Sequence, residues 1–279
     1  MMSSLPSAPS VPAARTVDAG PWSVPALRGL IVAELRKTLS TSAWWGLLIP
    51  AALLSGLYAL AAAASAGLSF SPALTQVFGL DFFASKFAMV FGAVCATAEY
   101  RHRTITTTFL TAPGRGQVVV AKAAVAALVG AVYGLVASVF GLLGTLIGGA
   151  NLAGVDTGPV FAVSAASLPV FALWAVLGVG VGMLISNQLG AIVLLLLYVL
   201  LGERIINLFV ALSDLGNIGD YLPAGSGTAA LAELAGDGLF GASLTRGSLP
   251  WWGALLVFAG YAALAVLGGI AAARRRDVT

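Results

Sequence analysis

EYRHRTITTTFLTAPGRGQVVVAK, residues 99–122, is a polar island between two long apolar runs, and the fold follows from asking why it is there. It opens with Glu99, Tyr100, Arg101, His102, Arg103 and Thr104, then runs through a hydroxyl-rich stretch from Ile105 to Thr111. It turns at Ala112-Pro113-Gly114-Arg115-Gly116 and meets apolar sequence again at Lys122. Cytoplasmic loops of membrane proteins carry an excess of Lys and Arg, so Arg101, Arg103, Arg115 and Lys122 place the island in the cytoplasm. A short basic segment there, between membrane helices, needs something to touch.

The flanks fix the class. Hydrophobic residues make up 59% of the 279-residue chain and charged residues only 9%, with a mean hydropathy of +0.98; in soluble domains roughly a quarter of residues are charged. The composition specifies an all-α polytopic membrane protein. Its net charge of +3 does not call for nucleic acid, because the cations sit in loops beside apolar spans, where topology accounts for them. The single cysteine, Cys95, lies in an apolar run, so an intrachain disulfide is excluded and metal or redox chemistry lacks its ligands.

Six spans are expected on the rule that about 20 apolar residues cross the hydrocarbon. They are Trp44 to Ala66, Val77 to Ala98, Ala123 to Ile147, Pro159 to Ile185, Leu189 to Leu212 and Pro250 to Ala273. Trp44-Trp45 and Trp251-Trp252 suit the membrane interfaces. With both termini inside, eleven of the fourteen Lys and Arg residues are cytoplasmic; Lys86, Arg204 and Arg246 are the remainder. Localisation in the cell membrane, multi-pass, follows. Residues 1–23, rich in Ser, Pro and Ala, read as a disordered cytosolic tail. Residues 24–41 read as an amphipathic interfacial helix, with Leu27, Ile31, Leu35 and Leu39 on one side and Arg36, Lys37 and Ser40 on the other. Glu34 and Arg28 blur that pattern. Residues 42–279 form the transmembrane domain.

Within it, Gly130 with Gly134, Gly144 with Gly148, and Gly178 with Gly182 have the spacing that lets helix backbones approach closely, although so glycine-rich a chain yields some such pairs by chance. Pro50 and Pro169 fall inside spans, where a kink is expected. Membrane-embedded charge is costly, so Asp81, Lys86, Glu203 and Arg204 each require an account. For Asp81 and Lys86 the choices are a lysine snorkelling to the headgroups or a place on a substrate path. For Glu203 and Arg204 they are mutual pairing, backbone capping or binding of a transported ion. The chain beyond Leu212 breaks into Asp214, Gly216, Gly219 and Asp220, and segment 213–249 reads as a re-entrant cap over the outer mouth, with a short helix near Thr228 to Leu234.

Catalysis is excluded more readily than proposed. His102, the only histidine, stands between Arg101 and Arg103 with Glu99 as its nearest acid. A phosphate-cradling Walker loop needs Gly-Lys followed by Ser or Thr. Here Lys37, Lys86 and Lys122 follow Arg36, Ser85 and Ala121, so the chain cannot hydrolyse ATP by that route.

The order of these features resembles the membrane-spanning subunits of ABC-2 type transporters. The resemblance rests on Glu99, Thr104, Leu110, Pro113 with Arg115, Ala121-Lys122, the Gly92-containing helix before them, the basic amphipathic helix and Tyr221-Leu222-Pro223-Ala224 ahead of the last span. It implies an ATP-driven exporter whose cytosolic ABC ATPase is a separate chain, with ATP and magnesium held there and no cofactor here. It also implies that residues 99–117 form the main coupling segment, with Glu99, Arg101, Arg103, Thr104, Phe109, Leu110, Pro113 and Arg115 at the ATPase. Ser186, Asn187 and Gln188 would make a second, smaller contact. A second copy or a related permease and membrane lipid are the other implied partners. If the basic residues serve topology alone, Glu99, the threonine run and the Pro-Gly turn go unexplained. A non-transporting immunity or sensory subunit, or an ion-coupled secondary transporter, are the alternatives.

Overall fold

The computed structural model describes residues 24–66, 71–106, 108, 112, 114–150, 156–213, 218–236 and 249–275, and among them it is helical with no strand. The tail assigned to 1–23, and Asp214 and Gly216 of the segment beyond Leu212, lie outside the described residues. In chain order the helices are α1 (Val24–Ser40), α2 (Ala43–Ala66), α3 (Pro72–Gly79), α4 (Ser85–Arg101), α5 (Arg115–Ile147), α6 (Gly158–Ile185), α7 (Gln188–Leu197), α8 (Glu203–Leu212), α9 (Pro223–Ala232) and α10 (Trp251–Arg275). Single π-turns, Leu80–Ala84 and Tyr198–Gly202, join α3 to α4 and α7 to α8.

Five helical stretches among the described residues are long and apolar enough to cross a membrane: Ala43–Ser65, Arg115–Ile147, Gly158–Ile185, Gln188–Val210 and Trp251–Arg275. The expected second span is not one of the five. Helix runs from Pro72 to Arg101 there, through a π-turn between α3 and α4 just as Gln188–Val210 runs through one between α7 and α8, and the side chains of Phe78, Asp81 and Phe82 within it lie outside the described residues. Local chemistry sets the starts. Ser71 caps α3, accepting the Leu74 amide at 3.2 Å, with Pro72 in the first turn. Asn187 caps α7 by accepting the Gly190 amide at 3.0 Å.

The core lies where α5 packs on α2 and α6, and α6 on α4 and α10. The glycine spacings are used there. A Cβ on Gly130 or Gly134 would sit 2.6 Å from the carbonyl oxygens of Phe171 and Ser167 on α6, and one on Gly144 would sit 2.0 Å from that of Gly56 on α2. Gly148 is as tight, with Ala63 Cβ 2.6 Å from the same point. Gly178 and Gly182 meet α4, which answers with Gly92 against Ala175. With no hydrophobic drive between helices in lipid, this backbone proximity supplies the dispersion contact that holds them. Aromatic rings fill what remains: Phe91 and Tyr133 stand 5.6 Å apart, Trp174 and Phe258 4.9 Å apart edge to face. Helices α2 and α6 run through Pro50 and Pro169.

Two expectations change here. The inward stripe of α1 is Leu27, Ile31, Glu34, Leu35 and Thr38, with Glu34 and Thr38 buried and Leu39 52% exposed, so Glu34 belongs to the packed face. Lys86 does not snorkel: it is 6% exposed, hydrogen-bonds Ser85 Oγ at 3.0 Å and holds its ammonium 4.9 Å from the centre of the Trp174 ring. The side chain of Asp81 lies outside the described residues.

Candidate functional site

Helix α4 ends one turn beyond its apolar stretch, and its end is built from backbone. Arg103 takes the left-handed conformation with φ 57°, its amide donates to the Tyr100 carbonyl at 3.3 Å, and the Thr104 amide donates to the Glu99 carbonyl at 2.9 Å. This is the paired-bond C-terminal motif that glycine usually completes. Here an arginine completes it, which aims its guanidinium outward at the cost of a left-handed backbone. Arg101, His102, Arg103 and Thr104 are all exposed.

Helix α6 also ends on a left-handed residue, with a single bond in place of the pair. Ser186 is left-handed with φ 55° and its amide donates to the Gly182 carbonyl at 2.9 Å. Asn187 then starts α7. The two turns lie side by side: Arg101 Nη1 donates to Gln188 Oε1 at 3.5 Å, and Tyr100, Arg101, Ser186, Asn187 and Gln188 line one groove of about 430 Å³. The segments expected to make the two coupling contacts, 87 residues apart at this bond, therefore form one surface.

Beneath the surface lies a buried ion cluster. Lys122, fully buried on α5, pairs with Glu34 Oε2 at 2.9 Å and with Glu99 Oε2 at 3.2 Å, the second as an ion pair without hydrogen-bond geometry. Lys37 of α1 pairs with the other Glu99 oxygen and stands 3.8 Å from Glu34. Thr108 Oγ donates to Glu99 at 2.9 Å. Burial by itself raises the Glu99 pKa, but Lys122, Lys37 and the Thr108 hydroxyl outweigh it and hold the carboxyl below its usual range. Glu99 is 2% exposed. Its carboxylate ties α1, α4, α5 and Thr108 together from the interior, whereas the coupling role expected of it calls for an exposed side chain.

Arg115, half-buried at the start of α5, donates to the Ala273 carbonyl near the end of α10 at 3.3 Å, so it closes the same end of the bundle. Phe109, Leu110 and Pro113, expected at the coupling contact, lie outside the described residues. Sequence reasoning missed Glu34, Lys37 and Lys122 as a unit with Glu99. The available signal was Glu34 itself, an acid on the stripe of Ile31 and Leu35.

At the opposite end, Glu203 is 3% exposed and caps a helix: its carboxylate accepts the Ala224 amide at 2.9 and 3.1 Å and the Gly225 amide at 3.3 Å. This selects backbone capping among the uses open to it, at the N-terminal end of α9 where the helix dipole favours an anion. Arg204 is exposed. Helix α9 carries Pro223, Ser226 and Ala229 to Ala232 buried against α10, α6 and α3. Among the described residues no group of three or more His, Cys, Asp or Glu could hold a metal.

No curated protein matches the chain. The family model described as "ABC-2 family transporter protein" matches residues 30–202, well over half of the sequence, from within α1 to the π-turn before Glu203.

Proposed function

Because the chain belongs to the ABC-2 family of transporter proteins and is a multi-pass membrane permease of it, we propose that it is the membrane subunit of an ATP-driven exporter worked by a separate cytosolic ATPase. In this reading α3, its π-turn and α4 together make the second crossing, giving six. Both termini and the α4 and α6 ends then face the cytoplasm, and α9 enters the membrane from outside as a re-entrant cap.

The observation that carries the proposal is the single surface made by the ends of α4 and α6, bridged by Arg101 and Gln188. An ATPase seated there touches both turns at once. Exposed Arg101 and Arg103 supply rim charge for steering and register, while Glu99 and Lys122 fix the surface rigidly to α1 and α5. ATP binding in a pair of ATPase subunits moves the two surfaces together, and tightly packed helices transmit that displacement as rigid bodies. ATP and magnesium belong to the partner chain, and a second copy or a related permease completes the path. The cargo is amphipathic or lipid-like, since among the described residues the spans hold no ladder of buried charge for an ion.

Co-expression with the ATPase tests this directly. The wild-type pair should purify as a complex, and a double Arg101→Ala, Arg103→Ala change should weaken assembly and ATP-coupled flux in vesicles together. Unchanged assembly in that variant removes the docking surface. Labelling of a thiol placed by Arg103→Cys from the outer face of intact cells removes the orientation.

A further inference from the structure

A second groove, of about 350 Å³, opens beside the first between α1, the start of α2 and α4. Its rim and floor differ in kind. Lys37, Arg101 and His102 stand on the rim; Phe91, Val94 and Cys95 form the floor. The acids that face it are Glu34, which lines it, and Glu99 behind Lys37, and both are engaged by Lys37 and the fully buried Lys122. Two carboxylates against Lys37, Lys122 and Arg101 leave a surplus positive charge, and the exposed Arg101 is where it meets solvent. The groove reaches Ala43, where α2 begins, next to half-buried Trp44 and 49% exposed Trp45, residues suited to the headgroup level.

We propose that this groove binds an anionic phospholipid, its phosphate at Arg101 and His102 and the start of its acyl chains over Phe91, Val94 and Cys95. The lining selects this occupant. A free phosphate or an acidic side chain of a docked protein would satisfy the cationic rim and leave the apolar floor wet. A zwitterionic lipid would cover the floor and neutralise less of the rim. Basic pockets between helices at a membrane surface bind anionic headgroups for the same reason. The inference rests on the membrane reading of the chain and not on ATPase docking, and the two fail separately.

The test is native mass spectrometry of the full-length protein, delipidated in detergent and titrated with phosphatidylglycerol, with phosphatidylcholine of the same chains, and with glycerol 3-phosphate. Phosphatidylglycerol should bind preferentially, and glycerol 3-phosphate should not displace it. The exposed change Arg101→Gln should lower phosphatidylglycerol affinity roughly fivefold. Val94→Phe, which fills the floor and leaves every charge in place, should lower it as well. Equal binding of the two lipids overturns the proposal. So does displacement by glycerol 3-phosphate, which would make the site one for a free phosphate. Phosphatidylglycerol binding unchanged in both variants, with ATPase binding weakened by Arg101→Gln, assigns the groove to the ATPase and overturns it too.

Discussion

The two ends of the bundle bury charge by different means. At the α4 end, Glu34, Lys37, Glu99 and Lys122 neutralise one another across three helices. At the α9 end, Glu203 is held by the amides of Ala224 and Gly225. The first arrangement fixes helices to each other through side chains, so its loss strands an opposite charge in a dry interior. The second fixes one short helix through its backbone, so its loss leaves two amide donors at a helix end that other acceptors can reach. The first suits a segment that transmits displacement, as proposed for the α4 end, and the second suits a short helix that shifts by itself.

The strongest way to break this contrast is Lys122→Met, which leaves Glu34 and Glu99 with only the part-exposed Lys37 between them and no buried cation. We expect a loss of about 3–5 kcal/mol in stability, measured by denaturant titration in detergent. Adding Glu34→Gln and Glu99→Gln to it should restore much of the loss. If Lys122→Met alone is neutral, the cluster does not hold the helices. Glu203→Gln should cost less, about 1 kcal/mol, because the amide oxygen still accepts a hydrogen bond while the charge at the helix end is gone. Its signature is local: hydrogen exchange at Ala224 and Gly225 should accelerate while amides in α5 do not.

Arg103→Gly works in the other direction. Relieving the left-handed arginine should stabilise the isolated protein by about 1 kcal/mol and, with the guanidinium gone, weaken association with the ATPase. A variant less stable than wild type would show that Arg103 contributes more through contacts than its backbone costs.

The smallest expected effect is in pH. The Glu99 pKa is lower in the folded protein than its ordinary value of 4.5, so its stabilisation is fully present above about that pH and fades as pH falls through the folded value. Glu34, Lys37, Lys122 and Thr108 are the groups facing it. Glu99→Gln should flatten this acid limb, and an unchanged limb would place the titration elsewhere.

Much of the helical order was legible because periodicity and run length are local properties. The limits of α6 and α10 fall within two residues of their expected spans, and the Ser186 to Gln188 turn stands where its polarity marked it. The glycine pairs were legible as candidates, since their spacing says that a close approach is possible without saying to what. The ion cluster was not legible. Lys122 and Glu34 are 88 residues apart, and each alone looks like a flanking charge. Lys86 misled for the same reason: snorkelling follows from depth in the membrane, and the Trp174 ring that holds it comes from a helix placed by tertiary packing. The π-turns were not legible either: Asp81 in Leu80–Ala84 and Gly202 in Tyr198–Gly202 stand out from their apolar neighbours, but neither specifies a wider hydrogen-bond pattern.

One of those wide turns decides where an acid points. A π-turn takes in an extra residue, and each residue advances an α-helix by about 100°. Tyr198–Gly202 sits directly ahead of Glu203, so it sets the angular phase at which that carboxylate leaves the helix axis. Were the turn to tighten into ordinary α-helix with the same residues, everything after it would rotate by about 100° and the carboxylate would leave the Ala224 and Gly225 amides that it now meets. The seat of that carboxylate is thus set by a count: the wide turn takes up one residue that an unbroken α-helix would spend on a further rotation of about 100°, and the greasiness of the segment says nothing of it.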